Sequence, residues 1–288
     1  MHDIAIIGAG PAGLSAAITA RARDKKVLVI SNKPQESRLA KSKLIENYPG
    51  LPRVSGLHLL EQMISQARDL GVEFLYERAI SVLPMGERFA IATGSTNTDV
   101  RSVILATGAH IAKPFAGEAE FLGRGVSYCA TCDGMLYRTA TVCVVGLSAE
   151  AVEEANFLAG IGAKVIFLAK KIPHGLNENI MVEEGTVAEI KGDTMSVTAL
   201  DFKASGTDKI ESILCSGVFI LRPSIAPDAL ITGLDLADGH IMVDGAMSTS
   251  ITGIFAAGDC VGKPLQIAKA VGEGQCACFS ATEYLDRE

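Results

Sequence analysis

Two cysteines stand three positions apart in the run CATCD at residues 129–133, and this run is the part of the chain best suited to chemistry. Side chains at this spacing can close a short disulfide. We predict that a helix takes in Cys132, because the positive end of a helix stabilises a thiolate. Asp133 adds a carboxylate that can give or accept a proton. Cys129, Cys132 and Asp133 are therefore the predicted catalytic residues of a disulfide exchange.

The other cysteines do not repeat this arrangement. The chain has 7 cysteines, and the remaining ones lie in apolar, small-residue or loop positions where packing is the expected role of a thiol. They are Cys143, Cys215, Cys260, Cys276 and Cys278. The CxxC spacing occurs once and no histidine lies near it, so the sequence predicts no metal site.

Composition narrows the class of protein. The 288 residues carry a net charge of −7, which argues against nucleic acid as a partner. Residues 4–20 hold no charge, but glycines interrupt the run and nothing basic precedes it. The run is also short for a bilayer, so we expect a buried strand, turn and helix rather than a membrane anchor or an export signal. A cytoplasmic location is the matching expectation.

A nucleotide-binding fingerprint opens the chain. An apolar strand over residues 3–7 leads into the glycines of GAGPAG at 8–13, and a helix and a second strand follow. The glycines permit a tight turn and let a pyrophosphate approach backbone N–H groups at the start of the helix. The acidic residue expected after the second strand is replaced by Ser31 and Asn32. Ribose recognition must then use weaker polar groups, or groups elsewhere.

The domain that carries this fingerprint is predicted to be discontinuous. LATG at 105–108 and FAAGD at 255–259 each end a strand with small residues, and a second strand–turn–helix opening starts at Val142. We predict an α/β fold with two Rossmann-like domains, each a βαβ unit in a three-layer ββα arrangement. Residues 1–112 and 245–288 form the first domain. Residues 113–244 form an inserted, reduced nucleotide-binding-like domain that carries the CxxC.

Several of these motifs occur in a characteristic order. They are GAGPAG at 8–13, IENYPG at 45–50, LATG at 105–108, GVSYCATCDG at 125–134 and FAAGD at 255–259. In this order the chain resembles the low-molecular-weight thioredoxin reductases over nearly its whole length. The resemblance implies a homodimeric flavoprotein that binds FAD in the split domain and reduces thioredoxin. It also implies that Cys132 is the sulfur nearer the flavin ring, and that Cys129 attacks the partner's disulfide while Asp133 handles the proton.

The same resemblance implies a set of residues around FAD. The cofactor would lie along the first glycine turn, with Asn47 and Gln266 near the flavin ring and Asp259 on the ribityl chain. The full predicted set is Gly8, Gly10, Pro11, Ala12, Gly13, Ser31, Asn32, Asn47, Thr107, Gly108, Gly258, Asp259, Gln266 and Ile267.

The second fingerprint departs from that of the family. Three adjacent glycines are replaced by GLS at 146–148, and the added side chains crowd the space that a pyrophosphate needs. The basic cluster that the family has after the next strand is reduced to Lys170 and Lys171. The helix that usually follows this cluster is deleted or reduced to a loop. The usual glycine near LRP at 221–223 is also replaced. These changes around one ligand predict the loss of the NAD(P)H site.

Without a nicotinamide, another electron donor is needed. The resemblance then narrows to the pyridine-nucleotide-independent relatives, of which the ferredoxin-dependent flavin thioredoxin reductases fit best. Ferredoxins are typically acidic, and a basic segment of this chain offers a docking surface, because opposite charges accelerate encounter. Against Asp24 and Glu36, its basic residues are Arg21, Arg23, Lys25, Lys26, Lys33, Arg38, Lys41 and Lys43. The plain alternative is a solvated loop after a helix.

Three other interpretations remain. One is an NAD(P)H-dependent thioredoxin reductase with an atypical nucleotide site, an option that Lys170 and Lys171 preserve. A second is a flavin dithiol oxidase that uses oxygen as the electron acceptor. The third is a redox-sensing FAD module without turnover, which the intact CATCD run makes the least favoured.

Overall fold

The chain folds into two compact units. The first comprises Met1–Ile111 and Ser224–Glu288, and the second comprises Ala112–Pro223. The computed structural model describes residues 1–109, 114–148, 150–222 and 226–287. Ala149 and Pro223, which belong to predicted motifs, lie outside the described residues, as does the predicted boundary at 112–113.

Both units combine strands with helices. The described strands are β1 (His2–Ile7), β2 (Val27–Ile30), β3 (Glu73–Leu75), β4 (Ser81–Pro84), β5 (Phe89–Ala92), β6 (Asn97–Leu105), β7 (Val126–Ser127), β8 (Thr141–Gly146), β9 (Lys164–Ala169), β10 (Met181–Gly192), β11 (Val197–Ala204), β12 (Ile210–Leu214), β13 (Gly217–Leu221), β14 (Leu236–Ala237), β15 (His240–Ile241) and β16 (Ile254–Ala256). The described helices are α1 (Pro11–Arg21), α2 (Gly56–Asp69), α3 (Glu118–Phe121), α4 (Ala130–Asp133), α5 (Ala151–Gly160), α6 (Pro227–Leu230) and α7 (Ile267–Asp286). None of these helices is long and apolar enough to cross a membrane.

A mixed sheet in the order β3-β2-β1-β6-β5-β4 forms the centre of the first unit, and β16 also pairs with β6. β1, β2, β3, β6 and β16 are parallel, whereas β4 and β5 form an antiparallel layer. β1 is buried from Ile4 to Ile7, as a continuous apolar run in a parallel sheet should be. α1 and α7 pack together closely at Gly274. A Cβ on this residue would lie only 2.1 Å from the carbonyl oxygen of Ala12, so the contact requires glycine.

The second unit repeats this plan. Its sheet runs β12-β11-β10-β9-β8-β13-β7, with β7 to β10 and β13 parallel and β10 to β12 antiparallel. One apolar cluster contains the buried side chains of Val144, Leu158 and Phe167 from β8, α5 and β9. The predicted α/β class with two Rossmann-like units is confirmed.

The chain returns to the first unit earlier than the predicted residue 245. The structure assigns the chain from Ser224 onward to the first unit. There, α6 contacts β4, and β15 contacts a 3₁₀ turn at Gly258–Val261. These elements are two to four residues long, so no periodicity in the sequence links them to either domain.

Candidate redox site and cofactor cradle

Cys129 and Cys132 are joined by a disulfide in the second unit, with Cα atoms 5.4 Å apart. Cys129 is the N-cap of α4, and its Sγ accepts a hydrogen bond from the Cys132 N–H at 3.1 Å. α4 is a single turn, so its dipole is weaker than that of the helix expected from the sequence. A thiolate at Cys129 is stabilised chiefly by this local N–H donor.

The two sulfurs differ in access. Cys129 is 3% exposed, whereas Cys132 is an exposed residue. Thr131 lies between them on the surface, with its hydroxyl oxygen 3.3 Å from Cys129 Sγ. Cys132 is therefore the more accessible residue of the pair.

Asp133 is held by a serine that is not among the predicted site residues. Ser127 Oγ donates to Asp133 Oδ2 at 2.7 Å and accepts the Cys129 N–H at 3.1 Å. Burial, and then the charge of Asp133, raise the pKa of the nearby Tyr137 phenol. Ser127 thus ties the backbone of one cysteine to the predicted proton carrier. A hydroxyl at the end of a strand, two positions before the cysteine, was the available signal.

A carboxylate from α5 supports the start of α4. Glu154 Oε2 accepts the Ala130 N–H at 2.7 Å and so satisfies a free donor of that turn. This contact joins residues 24 positions apart, so neither local sequence predicts it. It orients the cysteine turn against α5.

A buried ion pair lies beside the cysteine turn. Glu118 and Arg222 are 2% and 8% exposed, and two guanidinium nitrogens donate to the two carboxylate oxygens, the longer bond being 2.8 Å. Tyr128, adjacent to the first cysteine, donates its hydroxyl to Glu118 Oε1 at 2.9 Å, and the Phe115 N–H donates to Oε2 at 2.8 Å. Burial raises the pKa of Glu118, but these donors and the Arg222 charge outweigh it, so that the pKa is lowered.

The glycine turn of the second unit is used for sheet packing. A Cβ on Gly146 would lie 2.2 Å from the ring of Phe167, so that glycine is required by its neighbour in the sheet. The Leu147 N–H donates to the Leu221 carbonyl at 3.1 Å and ties the turn to β13. Ser148 Oγ is buried and has no hydrogen-bond partner among the described residues. Side chains therefore occupy both positions where the family has glycine.

The first turn of α5 is acidic. Glu150 is its N-cap residue, and Glu153 and Glu154 lie in its first turn. A helix N-terminus attracts anions, but these carboxylates already place negative charge there. A pyrophosphate at this turn would be repelled.

The segment after β9 is a loop, as predicted. No helix occurs between β9 and β10, where every residue is described, and Lys170 and Lys171 are exposed. The Asn156 side chain on α5 donates to the Gly175 carbonyl at 2.9 Å and accepts the Asn177 N–H at 2.8 Å. The loop is thereby pinned against α5.

In the first unit, the predicted cofactor residues gather at one edge of the sheet. Ile7 pairs with Ile30 and with Leu105, and Ala256 pairs with Leu105. The carboxyl ends of four parallel strands therefore lie side by side at the same edge of the sheet, namely those of β1, β2, β6 and β16. The residues that follow these strands include Gly8, Ser31, Asn32, Thr107, Gly108, Gly258 and Asp259. This is the edge at which parallel α/β sheets bind ligands.

The start of α1 contrasts with that of α5. Gly10 is its N-cap, Pro11 is its first residue, no side chain caps it and no acidic residue lies in its first turn. A Cβ on Gly10 would meet nothing within 4 Å, so the space beside it is open. Gly8 has a φ of 115°, and a Cβ there would lie 2.2 Å from the Ala106 carbonyl oxygen. This turn fits a pyrophosphate that accepts backbone N–H bonds.

Asn47 and Gln266 are brought together across 219 positions of sequence. Asn47 Nδ2 donates to Gln266 Oε1 at 2.9 Å, and both residues are exposed. Gln266 is the N-cap of α7, and Ile267 is its first residue. The first turn of α7 also lacks acidic residues, so its N–H groups are available to an electron-rich ligand atom.

The loop that carries Asp259 is held by α7. Lys269 Nζ donates to the carbonyls of Gly258 at 3.0 Å and Gly262 at 2.6 Å, and Glu273 Oε2 accepts the Gly258 N–H at 2.9 Å. Neither Lys269 nor Glu273 is among the site residues predicted from the sequence. Two opposite charges at i and i+4 among small and apolar residues in the first half of α7 were the signal.

The predicted basic segment divides into internal and free charges. Arg21 donates to two backbone carbonyls, Lys25 is ion-paired with Asp286, and the Arg23 guanidinium lies 4.4 Å from the Phe279 ring centroid. The remaining basic residues are exposed, namely Lys26, Lys33, Arg38, Lys41 and Lys43.

The cysteines outside the CxxC are free thiols. Burial raises the pKa of Cys215 to about 12 and that of Cys260 and Cys278 to about 11, and it also raises the pKa of Cys143. Cys276 is exposed on α7, so its predicted place in the core is wrong. Among the described residues, no group of three or more His, Cys, Asp or Glu is arranged to hold a metal ion.

Comparison with known proteins gives similarities along the whole chain. The model of the pyridine nucleotide-disulphide oxidoreductases matches residues 2–274. A thioredoxin reductase of Listeria innocua is 35% identical over 302 residues, which cover 99% of this chain and 94% of that protein.

Solved structures give the same result. A ferredoxin-flavin thioredoxin reductase from Clostridium acetobutylicum is 41% identical, with a TM-score of 0.89 over 99% of this chain and 98% of that one. A thioredoxin reductase from Gloeobacter violaceus is 33% identical, with a TM-score of 0.86 over 99% and 95% of the two chains. Both similarities extend through the first and second units.

Proposed function

The chain belongs to the pyridine nucleotide-disulphide oxidoreductase family and to the thioredoxin reductases within it, and from this premise we propose that ferredoxin rather than NAD(P)H supplies its electrons. It is a flavin-dependent disulfide oxidoreductase with FAD as cofactor. In the proposal its redox-active pair is Cys129 and Cys132, and its substrate is the disulfide of a thioredoxin.

The first unit offers residues that suit FAD. The open turn at Gly10 and the uncapped start of α1 would hold the pyrophosphate, Asp259 the ribityl chain, and Asn47 with Gln266 the ring. Bound there, a flavin supplies the conversion between one-electron donors and the two-electron chemistry of a disulfide.

The residues of the second unit carry out the exchange. Reduction of the Cys129–Cys132 disulfide takes two electrons and two protons and yields a dithiol. The Cys129 thiolate, favoured by the Cys132 N–H, attacks one sulfur of the substrate and releases the other as a thiolate. Cys132 then attacks Cys129 Sγ, which restores the disulfide and frees the reduced substrate. Asp133, oriented by Ser127, accepts and returns the proton.

The surface next to the disulfide suits a protein substrate. Met135 and Leu136 follow Gly134, the C-cap of α4, and are 57% and 81% exposed. Large apolar side chains with this exposure next to a reactive pair are typical of a docking surface. We infer that the substrate thioredoxin covers them when its disulfide approaches.

The observation that carries the choice of donor is the contrast between α1 and α5. The start of α1 is open and free of acidic residues, whereas α5 begins with Glu150, Glu153 and Glu154 behind a turn filled by Leu147 and Ser148. Charge and side-chain volume both disfavour a dinucleotide at α5. A pyridine nucleotide therefore does not fit the residues of the second unit, although the family is named after it.

Energetics and similarity favour ferredoxin in its place. Plant-type ferredoxins have potentials of about −400 mV and thioredoxin of about −270 mV, so passing two electrons releases roughly 6 kcal/mol. The similar protein from Clostridium acetobutylicum carries ferredoxin in its name. The exposed lysines and arginines between Lys26 and Lys43 suit an acidic donor.

An anaerobic titration tests the proposal. The oxidised holoprotein is mixed with excess NADPH, then NADH, then reduced ferredoxin, while the visible flavin absorbance is followed. We expect no bleaching with either nucleotide, and bleaching with ferredoxin followed by reduction of thioredoxin. Fast bleaching by NADPH would instead establish a nucleotide-dependent reductase with an unusual site. Oxygen uptake driven by small dithiols would identify the oxidase.

A further inference from the structure

An ion pair on α7 clamps both ends of the loop that carries Asp259. Lys269 Nζ reaches the carbonyls of Gly258 and Gly262 and lies 3.1 Å from Glu273 Oε2. Glu273 in turn accepts the Gly258 N–H at 2.9 Å. Three polar contacts from this pair therefore converge on a loop of five residues, 258–262.

Local helix chemistry does not explain this pair. Lys269 lies in the first turn of α7, where a positive charge opposes the helix dipole. A lysine that precedes glutamate by four positions is also the less favourable order for a helical ion pair. The side chains are only 16% and 20% exposed, so both charges lose most of their water. The pair is disfavoured within its own helix, and its contacts with the loop offset this.

The clamp leaves one carboxylate available. Within the loop, Cys260 is buried, with its thiol 3.2 Å from the Ala257 carbonyl and 3.4 Å from that of Leu105. Asp259 is half-buried, and its carboxylate has no hydrogen bond among the described residues. A side chain that keeps free acceptors in a firmly held loop is prepared for a ligand with hydroxyl donors.

We propose that Lys269 and Glu273 are positioning residues that hold Asp259 for the hydroxyl groups of FAD. The proposal rests on the binding of FAD at this edge of the first unit. All contacts of the clamp are made between groups of this chain. Loss of the clamp would let the loop move, and Asp259 would then have to be ordered when FAD binds.

A double-mutant cycle tests this role. FAD is removed from the full chain, and its dissociation constant is measured by quenching of flavin fluorescence for wild type, Lys269→Met, Asp259→Asn and the double variant. We expect Lys269→Met to weaken FAD binding by about tenfold when Asp259 is present, and by little when it is absent. Equal weakening in both backgrounds, or none in either, overturns the proposal.

Matched variants separate positioning from folding. Lys25→Met removes another ion-paired lysine of the first unit, 19% exposed, and should leave the FAD dissociation constant unchanged. Lys269→Arg should restore binding toward wild type, because arginine keeps the charge and its donors. If Lys269→Met does not fold, Glu273→Gln replaces it in the same cycle. The proposal is then judged by the same comparison of FAD dissociation constants with and without Asp259. If the wild-type protein did not bind FAD, the proposed cofactor would be wrong. The role of Lys269 and Glu273 is decided separately, by the dissociation constants of the double-mutant cycle.

Discussion

Cys129 and Cys132 are chemically identical, and their surroundings make them different. Cys129 is buried and receives an N–H bond, which favours its thiolate. Cys132 is exposed and belongs to the turn that supplies that donor. Ser127 adds a fixed link to Asp133. In the proposed mechanism, attack, resolution and proton transfer are divided among four residues of one short segment.

Removing one sulfur should trap the partner on the other. In Cys132→Ser the mixed disulfide between Cys129 and thioredoxin cannot be resolved, so the adduct should accumulate and turnover should fall to background. Mass spectrometry under non-reducing conditions measures the adduct. The thioredoxin used keeps a single cysteine, activated as a mixed disulfide with thionitrobenzoate, so that attack by Cys129 releases thionitrobenzoate as the leaving thiolate. Cys129→Ser is the matched control. If the adduct formed with Cys129→Ser instead, Cys132 would be the attacking cysteine and Cys129 the resolving one. The greater exposure of Cys132 would explain that result.

At the scale of elements, contacts between distant residues position the reactive turn. Glu118 on α3 meets Arg222 after β13 and Tyr128 before α4, so three separate segments share one carboxylate. Its pKa is lowered, since its donors outweigh the effect of burial. A carboxyl whose pKa is lower in the folded state than in the unfolded state stabilises the folded protein. The full stabilisation is present at pH values above the unfolded-state pKa of that carboxyl. This stability is lost as pH falls through the folded-state pKa.

Glu118→Gln should therefore lower stability in a pH-dependent way. Breaking a buried ion pair costs about 3 to 5 kcal/mol, so the variant should unfold at lower urea concentration at pH 7. The difference from wild type should shrink on acidification, because wild type then loses the same ionised carboxylate. Glu120→Gln changes an exposed glutamate on the same helix and should leave the unfolding midpoint almost unchanged. A difference that stays constant with pH would contradict a role of the charge.

Elements with local signals were predictable, and contacts between them were not. The glycine turn at 8–13, the parallel strands and the loop after β9 follow from patterns within a few residues. Glu118 and Arg222 are 104 positions apart, and only the completed second unit brings them together. Lys269 belongs to a helix whose fingerprint residues were recognised, but its contacts point back to the preceding loop. The identity of a side chain does not reveal such a direction.

At the scale of the whole molecule, charge is unevenly distributed. The net charge is −7, yet the segment from Arg21 to Lys43 has an excess of positive charge. Part of that charge is used internally, by Arg21, Lys25 and Arg23. No ion pair among the described residues involves Lys33, Arg38, Lys41 or Lys43. These four charges are available to an acidic protein, and their effect should weaken with salt.

Reversal of charge in this segment should slow ferredoxin-driven turnover. Lys41→Glu combined with Lys43→Glu should lower the rate at low salt by about tenfold and reduce its salt dependence. Lys203→Glu combined with Lys209→Glu gives the same change in net charge on exposed residues of the second unit and serves as control. Stopped-flow absorbance of the flavin measures both. An unchanged rate with the first variant would mean that the donor docks elsewhere.

A redesign that returned a pyridine nucleotide to the second unit would have to change charge before it changed shape. Glycines at positions 147 and 148 would open the turn, but the acidic start of α5 would still repel the incoming phosphates. Glu154 also accepts the Ala130 N–H, so a neutral replacement would have to keep an acceptor oxygen, as glutamine does. If ferredoxin is the donor, as proposed, the start of α5 and the cysteine turn are linked through one side chain, and an engineered swap of donor would have to preserve that acceptor.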